Sequence, residues 1–258
     1  MDLYEYAFCG SDKSPGKGFW PKLAHLAELA APELWSFQVD TDPVILYRYI
    51  KHTFARLTER PSPLALSSSV PVSADRMWSC FNTGLYTPQY EAIYGLFQVN
   101  RVPGMQPWHL RGFYRESERI LHAFDVLPSR AEYFDDPSEL VFDHRCEIRV
   151  DKEHILTDEE NVARLPLELT NPIVFDGAVS TAKKKVAANY KLAVPQYFQG
   201  KVQLLIPLGF EPDRTDAALV LSRHQAFYAG HTCLTLDMAY NNARLIAKPE
   251  AEWLRIER

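Results

Sequence analysis

The stretch MWSCFNTGLYTPQYEAIYGLFQV, residues 77–99, gives the strongest fold signal in the chain. Side chains on both halves of this stretch alternate between two sides, which is the period of two expected of a β-strand. The halves are separated by Thr87, Pro88 and Gln89, which are residue types that favour a turn. The stretch therefore predicts a β-hairpin.

Helix and strand signals continue on both sides of the hairpin. Apolar residues recur at helical spacing in segments that begin near Pro or Asp and end near Pro, as many helices do. These signals predict helices at 21–32, 42–61, 115–124, 176–195 and 237–249. Apolar runs predict strands at 146–150, 202–208, 217–222 and 232–236, with a polar turn at 158–161. Glycine and proline punctuate residues 1–19, which predicts an irregular N-terminal lead-in.

This order of elements predicts an α+β fold. We expect one domain over residues 1–258, because mixed folds of this length commonly share one core. The sheet should be largely antiparallel, formed by the N-terminal hairpin and a C-terminal meander, with helices packed against it.

Composition and charge argue against two classes of partner. The net charge is −5 and the pI is about 5.9, whereas extended binding along duplex nucleic acid depends on neutralising phosphates. No apolar run approaches the roughly 18 residues of a membrane span, and the N-terminus lacks a signal-peptide pattern. We therefore expect a cytoplasmic protein with no membrane partner and no extended duplex partner.

Familiar metal and catalytic motifs are missing. The four cysteines show no C-x-x-C spacing and the eight histidines show no ligand spacing, so the sequence predicts no metal site. Phosphate-binding loops, zinc-protease motifs and serine-hydrolase motifs are missing as well. The cofactor is therefore unknown, and whether the chain is an enzyme stays open.

Polar residues stand at the end of the first hairpin strand. Asn82 and Thr83 offer donors and acceptors, and Gly84 would let a ligand approach the backbone. Tyr90 and Tyr94 follow, and either ring could stack on a base. Turn formation also explains the first group, and core or cross-strand packing is the usual role of rings on a hairpin. Both interpretations stay open.

Two further polar clusters lie toward the C-terminus. Asn189 and Lys191 follow a lysine-rich helix and could turn inward. Tyr240, Asn242 and Arg244 belong to the last predicted helix, in which consecutive asparagines call for a compensating contact from a buried network or a ligand. Tyr240 and Arg244 share one face because they are four residues apart.

Several stretches taken together resemble a known family. They are FNTGL (81–85), IYGLF (93–97), HIL (154–156), KVQLLIPL (201–208) and AYNNARL (239–245), in this order. The combination resembles the bacterial domain-of-unknown-function family 3825, which occurs beside LOTUS (OST-HTH) or cold-shock modules. The resemblance covers most of the chain and implies a link to RNA biology through those neighbours. It implies no catalytic residues.

We therefore hypothesise a pocket for a nucleotide or a single-stranded RNA end. Its ligand-binding residues would be Asn82, Thr83, Tyr94, Asn189, Lys191, Tyr240 and Asn242. If the pocket also hydrolyses or transfers phosphoryl groups, His154 would be the acid or base and Arg244 the stabiliser of charge.

The alternative is a non-catalytic protein-interaction domain in an RNA-associated assembly. The polar clusters would then be structural, and exposed aromatic residues of segment 101–140 would bind a protein partner. The two hypotheses differ in whether the polar side chains line a concave pocket or satisfy one another internally.

Overall fold

A computed structural model describes residues 1–10, 18–38, 41–59, 69–211 and 213–256. Helices combine with mixed sheets in which most strand pairs are antiparallel, which confirms the α+β class. The chain forms two compact units, unit 1 (Met1–Glu132) and unit 2 (Tyr133–Glu257). The hairpin and the meander, expected in one sheet, belong to separate sheets, one in each unit. The single-domain organisation stays a prediction.

Unit 1 combines helices with a sheet in the order β1-β4-β3-β2. Strand β1 runs parallel to β4, and the other neighbours are antiparallel. The helices are α1 (Leu3–Tyr6), α2 (Phe19–Leu29) and α3 (Val44–Glu59), and the strands are β1 (Ala7–Phe8), β2 (Trp78–Tyr86), β3 (Ala92–Val99) and β4 (Trp108–Arg115).

Aromatic rings fill the space between this sheet and helix α3. Neighbouring rings among Tyr6, Phe54, Phe81 and Phe97 have centroids 5.1 to 5.7 Å apart, most of them edge to face. The Tyr6 hydroxyl lies 2.6 Å from the Ser79 hydroxyl, and burial raises the pKa of Tyr6 to about 12. This side of the sheet is therefore a packed core.

The pairing of β2 with β3 is interrupted at residues that the sequence singled out. Pairing is regular up to Asn82 and resumes at Tyr86, so three residues of β2 lie opposite Ile93. The Asn82 side-chain oxygen accepts the N–H of Gly84 at 2.8 Å, and the Thr83 hydroxyl donates to the carbonyl of Ile93 at 2.6 Å. These side chains replace the ladder hydrogen bonds that the bulge removes.

Unit 2 contains a sheet in the order β5-β9-β8-β7-β6. Strand β5 is parallel to β9, and β6 to β9 form the antiparallel meander. The strands are β5 (Glu147–Val150), β6 (Val194–Phe198), β7 (Lys201–Leu208), β8 (Ala217–Arg223) and β9 (Phe227–Leu234). The helices are α4 (Lys152–Thr157), α5 (Glu159–Val162), α6 (Pro172–Ala188) and α7 (Leu236–Ile246).

Helix α6 supplies the main core of unit 2. Its buried residues Phe175, Val179 and Val186 join one apolar cluster with Leu204 and Ile206 of β7. Side chains alternate along a strand, so Gln203 lies on the opposite face of the sheet from its neighbour Leu204. Helix α7 packs against β6.

The predicted hairpin, the meander and most helices are confirmed, with shifted bounds. Helix 42–61 is α3, although Pro61 itself lies outside the described residues. Helix 176–195 is α6, which begins earlier because the Asn171 side chain accepts the N–H groups of Ile173 and Val174. The last helix is capped by Thr235 rather than by Asp237.

Three further expectations were wrong, and strands β4 and β6 were missed. The lead-in is ordered over residues 1–10, where a capping box of Asp2 and Glu5 starts α1 and β1 pairs with β4; residues 11–17 lie outside the described part. The polar turn at 158–161 is part of a helical segment, because Asp158 caps α5. Segment 101–140 contains strand β4, and the helix expected at 115–124 is a 3-10 turn at Arg119–Ala123. Strand β6 was missed because it contains Pro195, which an edge strand tolerates.

Candidate functional site

A cleft of about 250 Å³ lies between helix α2 and strand β4 of unit 1. Residues that line it include Gly18, Lys22, His25, Arg111, Tyr114 and Glu118. Lys22 and His25 are three residues apart and therefore share one face of α2. The cleft thus brings three basic side chains together in a chain of negative net charge.

Lys22 is held at the edge of the cleft by backbone carbonyls. Its ammonium donates to the carbonyl of Cys9 at 3.2 Å and to that of Gly18 at 3.4 Å. Burial lowers the pKa of Lys22, and the nearby Arg111 lowers it further, whereas Cys9 acts in the opposite direction. A cation that is half-buried beside another cation gains stability from any anion that approaches it.

Arg111 owes its position to a β-bulge. Leu110 is the partner of Phe97 and Gly112 is the partner of Leu96, so Arg111 is an extra residue in β4 with no partner on β3. Bulges re-aim a side chain and are over-represented beside functional sites. The extra residue here is the arginine that lines the cleft.

The pKa of His109 is affected by the cations of the same region. Its ring stacks on Phe8 of β1, with centroids 6.0 Å apart. Burial lowers the pKa of His109, and the charges of Lys22 and Arg111 lower it further. Burial first, and the two positive charges second, thus favour the neutral form of this imidazole.

Glu118 is the carboxylate of the cleft, and its charge has a partner. Its Oε1 accepts the backbone N–H of Arg115 at 3.0 Å and also receives the Arg115 side chain at 3.4 Å. Within the described residues, no carboxylate forms an ion pair with Lys22, His25 or Arg111. Among the described lining residues, the cations Lys22 and Arg111 therefore outnumber the single carboxylate, Glu118.

The unit 1 residues predicted as ligands hold the sheet together instead of lining this cleft. Asn82 and Tyr94 are partners across β2 and β3, and both are buried. The Asn82 amide donates to the carbonyl of Pro128 at 3.1 Å. Burial raises the pKa of Tyr94 to about 12, and Glu116 contributes to the rise. Thr83 is fully buried and bonded to the backbone.

The unit 2 candidates lie on three different elements. His154 is exposed on α4, and Asn189 and Lys191 are exposed in the turn after α6, where the Asn189 side chain accepts the N–H of Lys191 at 3.2 Å. Tyr240 and Arg244 are buried on α7, 5% and 8% exposed. The structure thus groups Asn189 with Lys191 and Tyr240 with Arg244.

Asn242 belongs to a chain of side-chain hydrogen bonds that crosses the unit 2 sheet. Its amide donates to Gln196 at 3.1 Å, Gln196 donates to Gln203 at 3.1 Å, and Gln203 donates to Ser222 at 2.9 Å. Gln196 is 1% exposed, so the bonds satisfy polar groups that water does not reach. This network is the compensating contact of Asn242, whereas the neighbouring Asn241 donates to the carbonyl of Asp237 at 2.7 Å.

Comparison with protein families matches residues 26–253 to DUF3825, a domain of unknown function. The chain belongs to this family. No curated protein and no solved structure matches the chain. The DUF3825 match includes Arg111, Tyr114 and Glu118 of the cleft, whereas Lys22 and His25 precede it.

Two features are absent from the described residues. None of the helices there is both long and apolar enough to cross a membrane. No three His, Cys, Asp or Glu side chains in that part of the chain are placed to hold a metal ion.

The sequence reading missed the cleft of this DUF3825 chain for a local reason. Lys22 and His25 lie in a helix that the sequence predicted correctly, but that prediction rested on the apolar residues of the helix alone. Their three-residue spacing was the available signal. Arg111 lies in strand β4, which the sequence analysis did not predict, so nothing in the sequence indicated that Arg111 lies beside α2.

Proposed function

We propose that the cleft of unit 1 binds the phosphate group of a nucleotide or of an RNA end. The observation that carries the proposal is the set of Lys22, His25 and Arg111 around one cleft. Among the described residues, none of the three is ion-paired with a carboxylate, and Glu118 of the cleft pairs with Arg115 instead. Charge-assisted hydrogen bonds from such groups to phosphate are among the strongest in proteins. An arginine next to a lysine offers both a planar fork and a point charge.

The size of the cleft favours a small ligand or the end of a larger one. Pockets for drug-sized molecules start at roughly 300 Å³, and this cleft has about 250 Å³. A phosphate and the attached sugar are of this order. The partly buried Tyr114 ring at the wall could contact the sugar or the base.

Phosphoryl transfer or hydrolysis would need an acid or base beside the phosphate. His25 lines the cleft and is the side chain best suited to that role there. The roles first given to His154 and Arg244 stay predictions, and those residues belong to unit 2. We therefore propose phosphate binding as the function. Whether the cleft also catalyses a reaction is tested by substituting His25.

The family resemblance supports RNA as the source of the phosphate. Bacterial origin, LOTUS or cold-shock neighbours and a cytoplasmic location stay predictions that fit this choice. The net charge of −5 fits a local site better than a long basic track along a duplex.

Calorimetry and thermal shift with matched ligands test the proposal. Adenosine mono- and diphosphate should raise the melting temperature, because a ligand that binds only the folded state stabilises it, whereas adenosine should not. Lys22→Gln and Arg111→Gln should each weaken nucleotide binding about tenfold or more, since each removes a charged hydrogen bond to phosphate. Lys184→Gln, at an exposed lysine of α6, is the control and should bind normally.

Equal affinity of the wild type and both cleft variants would refute the cleft as the site. Comparing His25→Ala with wild type for phosphate release from the bound nucleotide separates catalysis from binding. Loss of turnover with retained affinity would assign His25 to the reaction.

A protein-interaction role is the second candidate. The aromatic residues of segment 101–140 do not favour it, because Phe113, Phe124 and Tyr133 are buried. The observation that does favour it is the exposure of Leu167 and Ile173 in unit 2, each 83% exposed. Single exposed apolar side chains are common on soluble proteins, so the cleft carries more weight.

A further inference from the structure

The tip of the unit 1 hairpin presents a tyrosine to solvent. Tyr90 is 88% exposed, the largest exposed fraction among the exposed large hydrophobic residues that the structure describes. Its backbone is in the left-handed region, with φ of 64°, which bulky residues adopt rarely. A conformation of this kind persists only where the surroundings impose it, and it occurs preferentially at functional sites.

Thr87 imposes that conformation. The N–H of Tyr90 donates to the Thr87 carbonyl at 2.9 Å, and the Thr87 N–H donates to the Glu91 carbonyl at 2.9 Å. The Thr87 hydroxyl also accepts the N–H groups of Gln89 and Glu91, at 3.3 and 3.2 Å. These hydrogen bonds constrain the backbone of the turn at the position where the Tyr90 ring is exposed.

The turn is tied to the segment that borders the cleft. The Glu91 carboxylate accepts the backbone N–H of Ser117, which is the neighbour of the cleft residue Glu118. Both carboxylates are therefore engaged within the protein, Glu91 by Ser117 and Glu118 by Arg115. Arg119 and Glu116 are both exposed in the same segment, so their charges offset each other.

We propose that Tyr90 stacks on a base of a single-stranded oligonucleotide whose terminal phosphate occupies the cleft. This inference rests on the proposed function and makes it narrower: the ligand is the end of a strand rather than a free nucleotide. Aromatic side chains fixed at the surface are the usual platforms for bases of single strands, because every base has a π-face. The cleft holds the terminal phosphate, and Tyr90 contacts a nucleotide farther along the strand.

Fluorescence anisotropy with short labelled strands tests the inference. The probes are adenosine monophosphate and tetranucleotides that carry a 5′-phosphate, a 3′-phosphate or no phosphate, each as RNA and as DNA. Tyr90→Ala should weaken binding of the phosphorylated tetranucleotide roughly 5- to 150-fold, the range measured for stacking residues, and leave the monophosphate unchanged. Tyr90→Phe keeps the ring and should bind normally.

Tyr90→Gly guards against a folding artefact, because glycine adopts a positive φ without strain. It removes the ring, should fold, and should lose tetranucleotide affinity as Tyr90→Ala does. Tyr190→Ala, at a half-exposed tyrosine of unit 2, is the matched control and should change nothing.

Failure of the Tyr90 inference and failure of the proposed cleft function give different results. If the monophosphate and the tetranucleotide bind equally well, and Tyr90→Gly alters neither, the inference is overturned while the cleft keeps its function. If neither binds, or if a phosphoserine peptide binds more tightly than any strand, both proposals fall. If the RNA and DNA strands differ in affinity, the more tightly bound one identifies the source of the phosphate.

Discussion

The ring of Phe81 lies against the Cα atom of Gly95, its partner across β2 and β3. A Cβ atom at Gly95 would overlap ring atoms Cε1 and Cζ of Phe81. The ring cannot withdraw, because it also packs on Phe54 and Phe97, with centroids 5.2 and 5.5 Å away. Glycine is therefore required here by packing rather than by backbone conformation.

Gly95→Ala should destabilise unit 1. Forcing one methyl group into a packed core typically costs about 1–3 kcal/mol in the free energy of unfolding. Urea denaturation followed by fluorescence should show a lower midpoint with an unchanged slope.

Gly177→Ala is the matched control of opposite sign. Gly177 lies inside α6, and no described atom beyond its chain neighbours and its own helix backbone lies within 4 Å of a Cβ built there. Alanine should raise the stability of the helix by roughly 0.5–1 kcal/mol. A Gly95→Ala protein as stable as the wild type would show that the β2–β3 pairing is looser than described.

Two histidines of unit 1 should respond to different lysines. Burial lowers the pKa of His109 below its usual 6.5, and Lys22 and Arg111 contribute. Burial also lowers the pKa of His52, and Lys51 and Arg48 contribute. As pH falls through 6.5 toward these lower values, the unfolded chain binds protons that the folded chain does not, so stability is lost.

Lys22→Gln should therefore raise the pKa of His109 and leave His52 unchanged, and Lys51→Gln should do the reverse. Each substitution removes one repulsive charge but not the burial, so neither pKa should reach 6.5. NMR titration of the imidazole Cε1 protons measures both histidines in one sample. A uniform shift in both variants would argue against the local origin of these effects.

Gln196 should be the most sensitive member of the chain of amides in unit 2. Gln196→Ala leaves the amide of Asn242 and the carbonyl of Gln203 without their partner. Each orphaned buried group costs about 1–3 kcal/mol. Denaturation should show this loss, and Gln225→Ala, at an exposed glutamine, should not.

Helices and strands could be predicted from the sequence where a single periodic pattern of apolar residues continued without interruption. The hairpin followed from alternation, and helix α3 followed from its apolar stripe between Asp42 and Pro61. Strand β4 was not readable, because Arg111 shifts the alternation by one residue and Gly112 weakens the β signal. No local pattern encodes a bulge, since the missing partner lies on another strand.

The candidate site shows the same limit. Asn82 and Thr83 are unusual, as the sequence indicated, but the reason is the three-residue bulge opposite Ile93, which only the pairing reveals. The cleft depends on α2 meeting β4, elements separated by most of unit 1. Residue types that look ordinary along the chain, a lysine and an arginine, acquire their role from that meeting.

Because Arg111 is an extra residue in β4, it gives the cleft a positive charge without taking part in the pairing of β3 with β4. Without this residue, Leu110 and Gly112 would become consecutive and still face Phe97 and Leu96 in an uninterrupted ladder. Deletion of the Arg111 codon would thus keep the pairing of β3 with β4 and remove the arginine from the cleft. Among DUF3825 chains, the presence or absence of one inserted residue at this point would sort members that carry this cation from members that do not.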